Sequence, residues 1–160
     1  MLFLGHIGFT SFILSMFYLP ALGGIIGTLL PDIVDKGLFI LGYAPCSRFL
    51  AHTLFFPPVL GLVSYGITRN KKLAFAVALG AFLHLLEDTH DNVPFLYPVK
   101  TYSFLDNCGG IQILFTPYFI ITETIGGTLT IFVFGFRKRF IQLRESLWRI
   151  VYKVSSWKKN

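Results

Sequence analysis

Residues 21–35 read Ala-Leu-Gly-Gly-Ile-Ile-Gly-Thr-Leu-Leu-Pro-Asp-Ile-Val-Asp, and the direction this stretch takes decides the fold. Its first ten residues are apolar and glycine-rich. As a helix they rise only about 15 Å, half of a hydrocarbon core. An apolar run from Leu2 to Leu19 precedes them and is interrupted at Pro20. Two paths are open. If residues 21–30 extend the first span, His6 is left a membrane thickness away from Asp32. If they turn back as a half-helix packed through their glycines, His6 returns to the end that carries Pro31-Asp32-Ile33-Val34-Asp35.

The composition is that of a chain dissolved in lipid. It is 54% hydrophobic and 14% charged, with 18 Phe and a mean hydropathy of +0.65; a soluble domain carries roughly 25% charged residues. The net charge of +6 is unevenly placed. Residues 1–136 hold six Lys/Arg against seven Asp/Glu, whereas residues 137–160 hold eight Lys/Arg against Glu145 alone. The basicity belongs to the tail, so no nucleic-acid footprint is expected. A basic tail after a last apolar span suits the cytoplasmic side and anionic headgroups. The first 31 residues contain no Lys, Arg, Asp or Glu, so the start reads as a retained membrane helix rather than a cleavable signal peptide.

Two units follow: a polytopic membrane domain over 1–136 and a basic amphipathic cytoplasmic tail over 137–160. The expected class is an all-α integral membrane protein with about four to five transmembrane or half-membrane helices and a basic amphipathic C-terminal helix. Beyond residue 30, apolar runs cover Phe49–Ile67, kinked at Pro57-Pro58, then Leu73–Leu86, then Ile111–Phe136. A polar loop spans 88–110. Within 140–156, Ile141, Leu147, Ile150, Val151 and Val154 can share a helical face that Arg144, Arg149 and Lys153 mostly avoid, as in a helix lying on a membrane surface.

Basic residues orient the spans. Arg69, Lys71 and Lys72 and the Arg137-Lys138-Arg139 cluster should be cytoplasmic. The multi-pass chain then places residues 31–48 and 88–110 outside the cell membrane, with the C-terminus inside. Cys46 and Cys108 both fall in the outer loops, where a disulfide can pin them in an oxidising compartment or two free thiols can remain.

The polar residues gather at the ends of these spans. His84 and Asp88 stand i,i+4, as do Arg48 and His52 at the start of another predicted helix, and Asp32 and Asp35 stand i,i+3 if the helix continues past Pro31. Ionisable groups beside a bilayer are costly and usually functional. Imidazole with carboxylate suits zinc, and with more oxygen manganese. Each residue also has a plainer reading. His6 can be a packing histidine, Asp32 a helix cap, Asp88 a solvated interfacial group and Arg48 a snorkelling cation. His90 and Asp91 read as solvent-facing.

At these residues the chain resembles the LexA-regulated, membrane-bound metal-dependent hydrolase family (YdjM-like). The shared pattern is Gly5-His6, Gly27-Thr28-Leu29-Leu30-Pro31-Asp32-Ile33-Val34-Asp35, Arg48-Phe49-Leu50-Ala51-His52-Thr53, His84-Leu85-Leu86-Glu87-Asp88-Thr89 and Tyr97-Pro98. It spans residues 5–98 and leaves the C-terminal third without a motif. Thr53 replaces a common Ser, and Glu87 a common Leu. The resemblance implies a helical membrane protein with a divalent metal held by His6, Asp32, His52, His84 and Asp88.

The mechanism this suggests is metal-assisted hydrolysis at the membrane surface, with a phosphoester or lipid-linked substrate and membrane lipids as partners. Asp35 or Glu87 is then the general base, and Arg48 the catalytic-site cation for a phosphate or carboxylate. An ion or proton transporter, or a non-catalytic membrane scaffold, would use the same residues as a conduction path or as caps. Glu123 fits three places: near the metal residues, paired with Arg48, or protonated beside Thr122 and Thr124.

Overall fold

The computed structural model describes residues 3–89, 92–106 and 117–157, with side chains of the last helix as far as Tyr152. Among the described residues there are six helices and no strands. They are α1 (Phe3–Met16), α2 (Ala21–Ile40), α3 (Phe56–Thr68), α4 (Lys71–Glu87), α5 (Pro117–Thr130) and α6 (Arg137–Trp157). Short 3-10 turns cover Leu50–His52 and Ser103–Asp106, and a π-helical segment, Ile131–Gly135, continues α5.

The turn after α1 resolves the first ambiguity. Tyr18 adopts a left-handed φ of 58°, Pro20 precedes the first residue of α2, and α2 runs back along α1. A Cβ on Gly24 would press on Leu14 and Thr10 of α1. The returning element is longer than a half-helix, because α2 stays helical through Pro31 to Ile40. A proline inside a helix frees a carbonyl one turn back, which a packed membrane helix tolerates. His6 and Asp32 thereby arrive at one end of the bundle.

Glycines set how closely the helices approach. A Cβ on Gly27 would lie 2.0 Å from the Val77 carbonyl oxygen, so α2 meets the backbone of α4 there. Gly8 and Gly126 make the same kind of contact between α1 and α5. At the start of α1, Glu123 from α5 accepts hydrogen bonds from Leu4 N (3.1 Å) and Gly5 N (3.2 Å). A carboxylate at a helix N-terminus satisfies donors that have no partner within the helix and complements its dipole. This seats Glu123 on the backbone just before His6, a role its sequence context did not single out.

Several boundaries differ from those read in the sequence. Pro57 and Pro58 fall in the first turn of α3 and start that helix rather than kinking a longer one. Arg48 and His52 do not share a helix: bends at Arg48 and Phe49 lead into the 3-10 turn Leu50–His52. The first six residues of the expected Ile111–Phe136 span, with His90, Asp91 and Cys108, lie outside the described residues. Cys46 is buried and disulfide-bonded; of the two alternatives left open for Cys46 and Cys108 this favours the bridge over free thiols, with Cys108 itself outside the described residues.

The tail helix α6 docks on the opposite end from His6. Trp148 Nε1 donates to Met16 O at 2.8 Å, Arg144 Nη1 donates to Ser15 O at 3.2 Å, and the Arg144 guanidinium lies 3.8 Å from the centre of the Tyr18 ring. These donors serve carbonyls at the C-terminal end of α1, where the helix has run out of its own N–H partners; Ser15 O also accepts from Tyr18 N at 3.3 Å. Phe140 is buried, while Leu147, Ile150 and Val151 are exposed.

The distribution of polarity is inverted relative to a soluble domain. His6, Thr10, Ser11, Thr28, Asp32, Asp35, His52, His84 and Asp88 are buried, and Leu22, Ile33, Leu62, Ile67, Phe75 and Ile131 are exposed. Among the described residues, one helical stretch, Pro117–Gly135, is long and apolar enough to cross a membrane by itself; Phe3–Met16 and Phe56–Thr68 are apolar but shorter.

Candidate metal centre

Three elements, α2, the Leu50–His52 turn and the end of α4, bring the centre together. Asp32 projects from the second half of α2, His52 ends the 3-10 turn, His84 lies in the last turn of α4 and Asp88 follows that helix. One donor atom from each of these four buried residues lies within 4.8 Å of the other three. His52 Nε2 and His84 Nε2 are 3.2 Å apart. Asp32 Oδ1 is 3.6 Å from His52 Nε2 and 3.9 Å from His84 Nε2. Asp88 Oδ2 is 3.9 Å from both histidine nitrogens.

His6 borders this group. Its ring centre lies 4.2 Å from that of His84, and its Nε2 is 3.5 Å from Asp88 Oδ1. The five residues implied by the family resemblance thus occupy one neighbourhood.

Asp35 explains why a loop can hold His52 so firmly. This fully buried carboxylate accepts from the backbone N–H groups of Phe49, Ala51 and His52, and it meets His52 Nδ1 at 2.8 Å. Three backbone bonds wrap residues 49–52 around one side chain. The fourth bond puts the ring proton on Nδ1 and turns the Nε2 lone pair towards Asp32 and His84. Thr53 closes the turn through its hydroxyl, which donates to Leu50 O at 2.9 Å. Glu87 treats His6 in the same way, with Oε2 2.5 Å from Nδ1.

Two cations complete the surroundings. Lys36 Nζ lies 2.6 Å from Asp32 Oδ2, and Arg48 Nε lies 3.0 Å from Asp88 Oδ2. Burial pushes the Asp88 carboxyl up, but His84, Arg48 and His6 outweigh it and hold the group well below the usual carboxylate range. Lys36 was passed over in the sequence, although it stands i,i+4 from Asp32 on a segment already read as helical. The Glu123 cap has no comparable local signal, since its partners are 118 and 119 residues away.

The donor set fits a divalent cation. His6 Nε2 and Asp32 Oδ1 are buried and without a hydrogen-bond partner among the described residues. Among the described residues, the side chains of four carboxylates (Asp32, Asp35, Glu87, Asp88) gather here with those of Lys36 and Arg48. Two imidazole nitrogens and two carboxylate oxygens form a mixed set that zinc and manganese accept. Beside the centre, Phe49 also lines a cleft of about 510 Å³ with Pro45, Tyr97, Thr101, Tyr102, Ser103 and Leu105.

A sequence model for the family described as YdjM inner membrane protein matches residues 1–155. No curated protein and no solved structure matches the chain.

Proposed function

The chain belongs to the YdjM inner membrane protein family, and from that premise we propose that it is a membrane-embedded, metal-dependent hydrolase. Asp32, His52, His84 and Asp88 hold the ion, with His6 at its edge. The observation that carries this reading is the convergence of four buried donors from three elements, all within 4.8 Å. Packing alone gives no reason to gather two imidazoles and two carboxylates, since burying ionisable groups is costly unless they are paired.

A zinc or manganese ion at this position supplies Lewis acidity, which acidifies water and polarises a scissile bond. The protein's own residues do the rest. Asp35, enclosed and committed to four hydrogen bonds, positions His52. Glu87 meets His6 through Oε2 and keeps Oε1 without a hydrogen-bond partner among the described residues, which suits the general base better than Asp35 with its four hydrogen bonds. Arg48, 28% exposed, faces an anionic group of the substrate.

The substrate class is a phosphoester, carried on a lipid or presented at the membrane surface. With the basic ends of α3–α4 and α5–α6 on the cytoplasmic side, the centre opens on the opposite side of the cell membrane. A transport path would spread ionisable groups across the bilayer. Those in the described interior sit at one end, and the hydroxyls of Thr10, Ser11 and Thr28 lie further along.

Elemental mass spectrometry of the purified protein tests the reading. Near-stoichiometric zinc or manganese, lost in a folded His84→Ala/Asp88→Ala variant, is the expected result. Absence of metal from the wild type after reconstitution overturns it. Metal-loaded protein is then assayed for release of phosphate or alcohol from phospholipid and polyprenyl-phosphate substrates.

A further inference from the structure

Asp88 presents its two carboxylate oxygens to different histidines. Oδ2 lies 3.9 Å from Nε2 of both His52 and His84, on the side of the four converging donors. Oδ1 lies 3.5 Å from Nε2 of His6. His6 is not among the four residues whose donor atoms all fall within 4.8 Å of one another. An ion seated among those four therefore does not account for it.

The His6–Asp88 separation is too long for a direct bond and suits a shared ion. A charge-assisted N–H to carboxylate bond is about 2.7–2.9 Å long, and His52 and Asp35 meet at 2.8 Å. Two ligands bound about 2.1 Å from a tetrahedral ion stand about 3.4 Å apart. His6 Nε2 has no hydrogen-bond partner among the described residues, although the side chain is only 1% exposed. Burying a polar nitrogen unpaired is costly.

His6 is also prepared as a ligand. Glu87 Oε2 meets its Nδ1 at 2.5 Å, just as Asp35 meets Nδ1 of His52. A carboxylate so placed keeps the ring proton on Nδ1 and the lone pair on Nε2. Arg48 steadies Asp88, with Nε 3.0 Å from Oδ2. A carboxylate offers about four lone-pair sites, so an oxygen that serves Arg48 can still bind a metal.

We infer that the centre takes two divalent ions bridged by Asp88: one among Asp32, His52, His84 and Asp88 Oδ2, the other between His6 Nε2 and Asp88 Oδ1. This rests on the metal centre proposed above and turns His6 from a bordering residue into the ligand of a second site. With two protein ligands, that site leaves most of its positions to water and substrate oxygens. Paired ions roughly 3.5–4 Å apart hold the attacking and the leaving oxygen of an in-line displacement at phosphorus. Such a pair suits a phosphoester substrate.

The test titrates manganese into the full chain in uncharged detergent, counting free ion by its electron paramagnetic resonance signal. The bound signal gives a second readout, because two manganese ions that share a carboxylate couple magnetically and lose the spectrum of an isolated ion. Wild type should bind two ions per chain and show the coupled signal. His6→Ala should bind one, with an isolated-ion spectrum and the first site's affinity close to wild type. Glu87→Gln keeps His6 in place and should weaken the second ion alone.

A single uncoupled ion in the wild type overturns the inference and leaves the metal centre standing. A second ion that survives His6→Ala also overturns it, since that ion then sits elsewhere on the chain. Loss of all metal from a folded His6→Ala overturns it too, by making His6 a ligand of one shared ion. Should His6→Ala fail to fold by circular dichroism, Glu87→Gln decides: both ions held as tightly as in wild type overturns the second site. If the wild type takes up no metal, the centre itself fails.

Discussion

Asp35 and His52 meet at 2.8 Å in the fully buried interior, and the far nitrogen of the same imidazole lies 3.6 Å from Asp32. One ring thus joins two carboxylates with different tasks: the first fixes its proton, the second shares its lone-pair side. Partners of this kind orient metal-ligating histidines and raise their basicity.

Replacing Asp35 with Asn should therefore weaken metal binding although Asp35 is not among the four converging donors. The expected loss is about 10–100-fold in affinity, read by metal titration with circular dichroism as the control for folding. Glu87→Gln, acting through the bordering His6, should cost less. Unchanged affinity in Asp35→Asn would remove the positioning role.

Metal should also stabilise the fold. At a free concentration 100 times the dissociation constant, an ion that binds only the native state adds about 2.7 kcal/mol. Thermal unfolding in detergent should shift upward with zinc or manganese and return with a chelator. The His84→Ala/Asp88→Ala variant should show neither change.

Two glycines in α2 predict opposite signs. Gly27→Ala drives a Cβ into the Val77 carbonyl and should cost about 1–3 kcal/mol through overpacking. Gly37 has no atom within 4 Å of the added Cβ, so Gly37→Ala should gain about 0.5–1 kcal/mol of helix stability. Equilibrium unfolding in micelles checks the pair, and the reverse order would contradict the helix contact.

Sidedness is open to chemical labelling. A cysteine introduced at exposed Thr101 should react with a membrane-impermeant maleimide in intact cells. One at exposed Lys72 should react only after permeabilisation. The opposite pattern would invert the proposed topology and place the centre at the cytoplasmic face.

Much of this arrangement was legible in the residue pattern, and the failures share a cause. Glycine spacing after Pro20 and the need to bring His6 to Asp32 pointed to the α1–α2 turn. His84 and Asp88 follow from helical periodicity alone. The stretch around His52 was misread as a helix because its spacing is helical, whereas its backbone donors are taken by Asp35 from another element. Pro57-Pro58 looked like an interruption because nothing before it marks a helix start; in the fold those prolines are the start. Local periodicity describes an element well and says little about a carboxylate that reaches across 14 residues, or 119.

The bond from Glu123 to Leu4 and Gly5 ties the motif-bearing region to the part of the chain without motifs. The residue after Gly5 is His6, so α5 anchors the backbone from which the first histidine projects. A chain shortened to residues 5–98 would keep every candidate ligand and lose the clasp that sets where the first of them begins. In this protein the least distinctive sequence serves as the reference against which the most distinctive one is aligned.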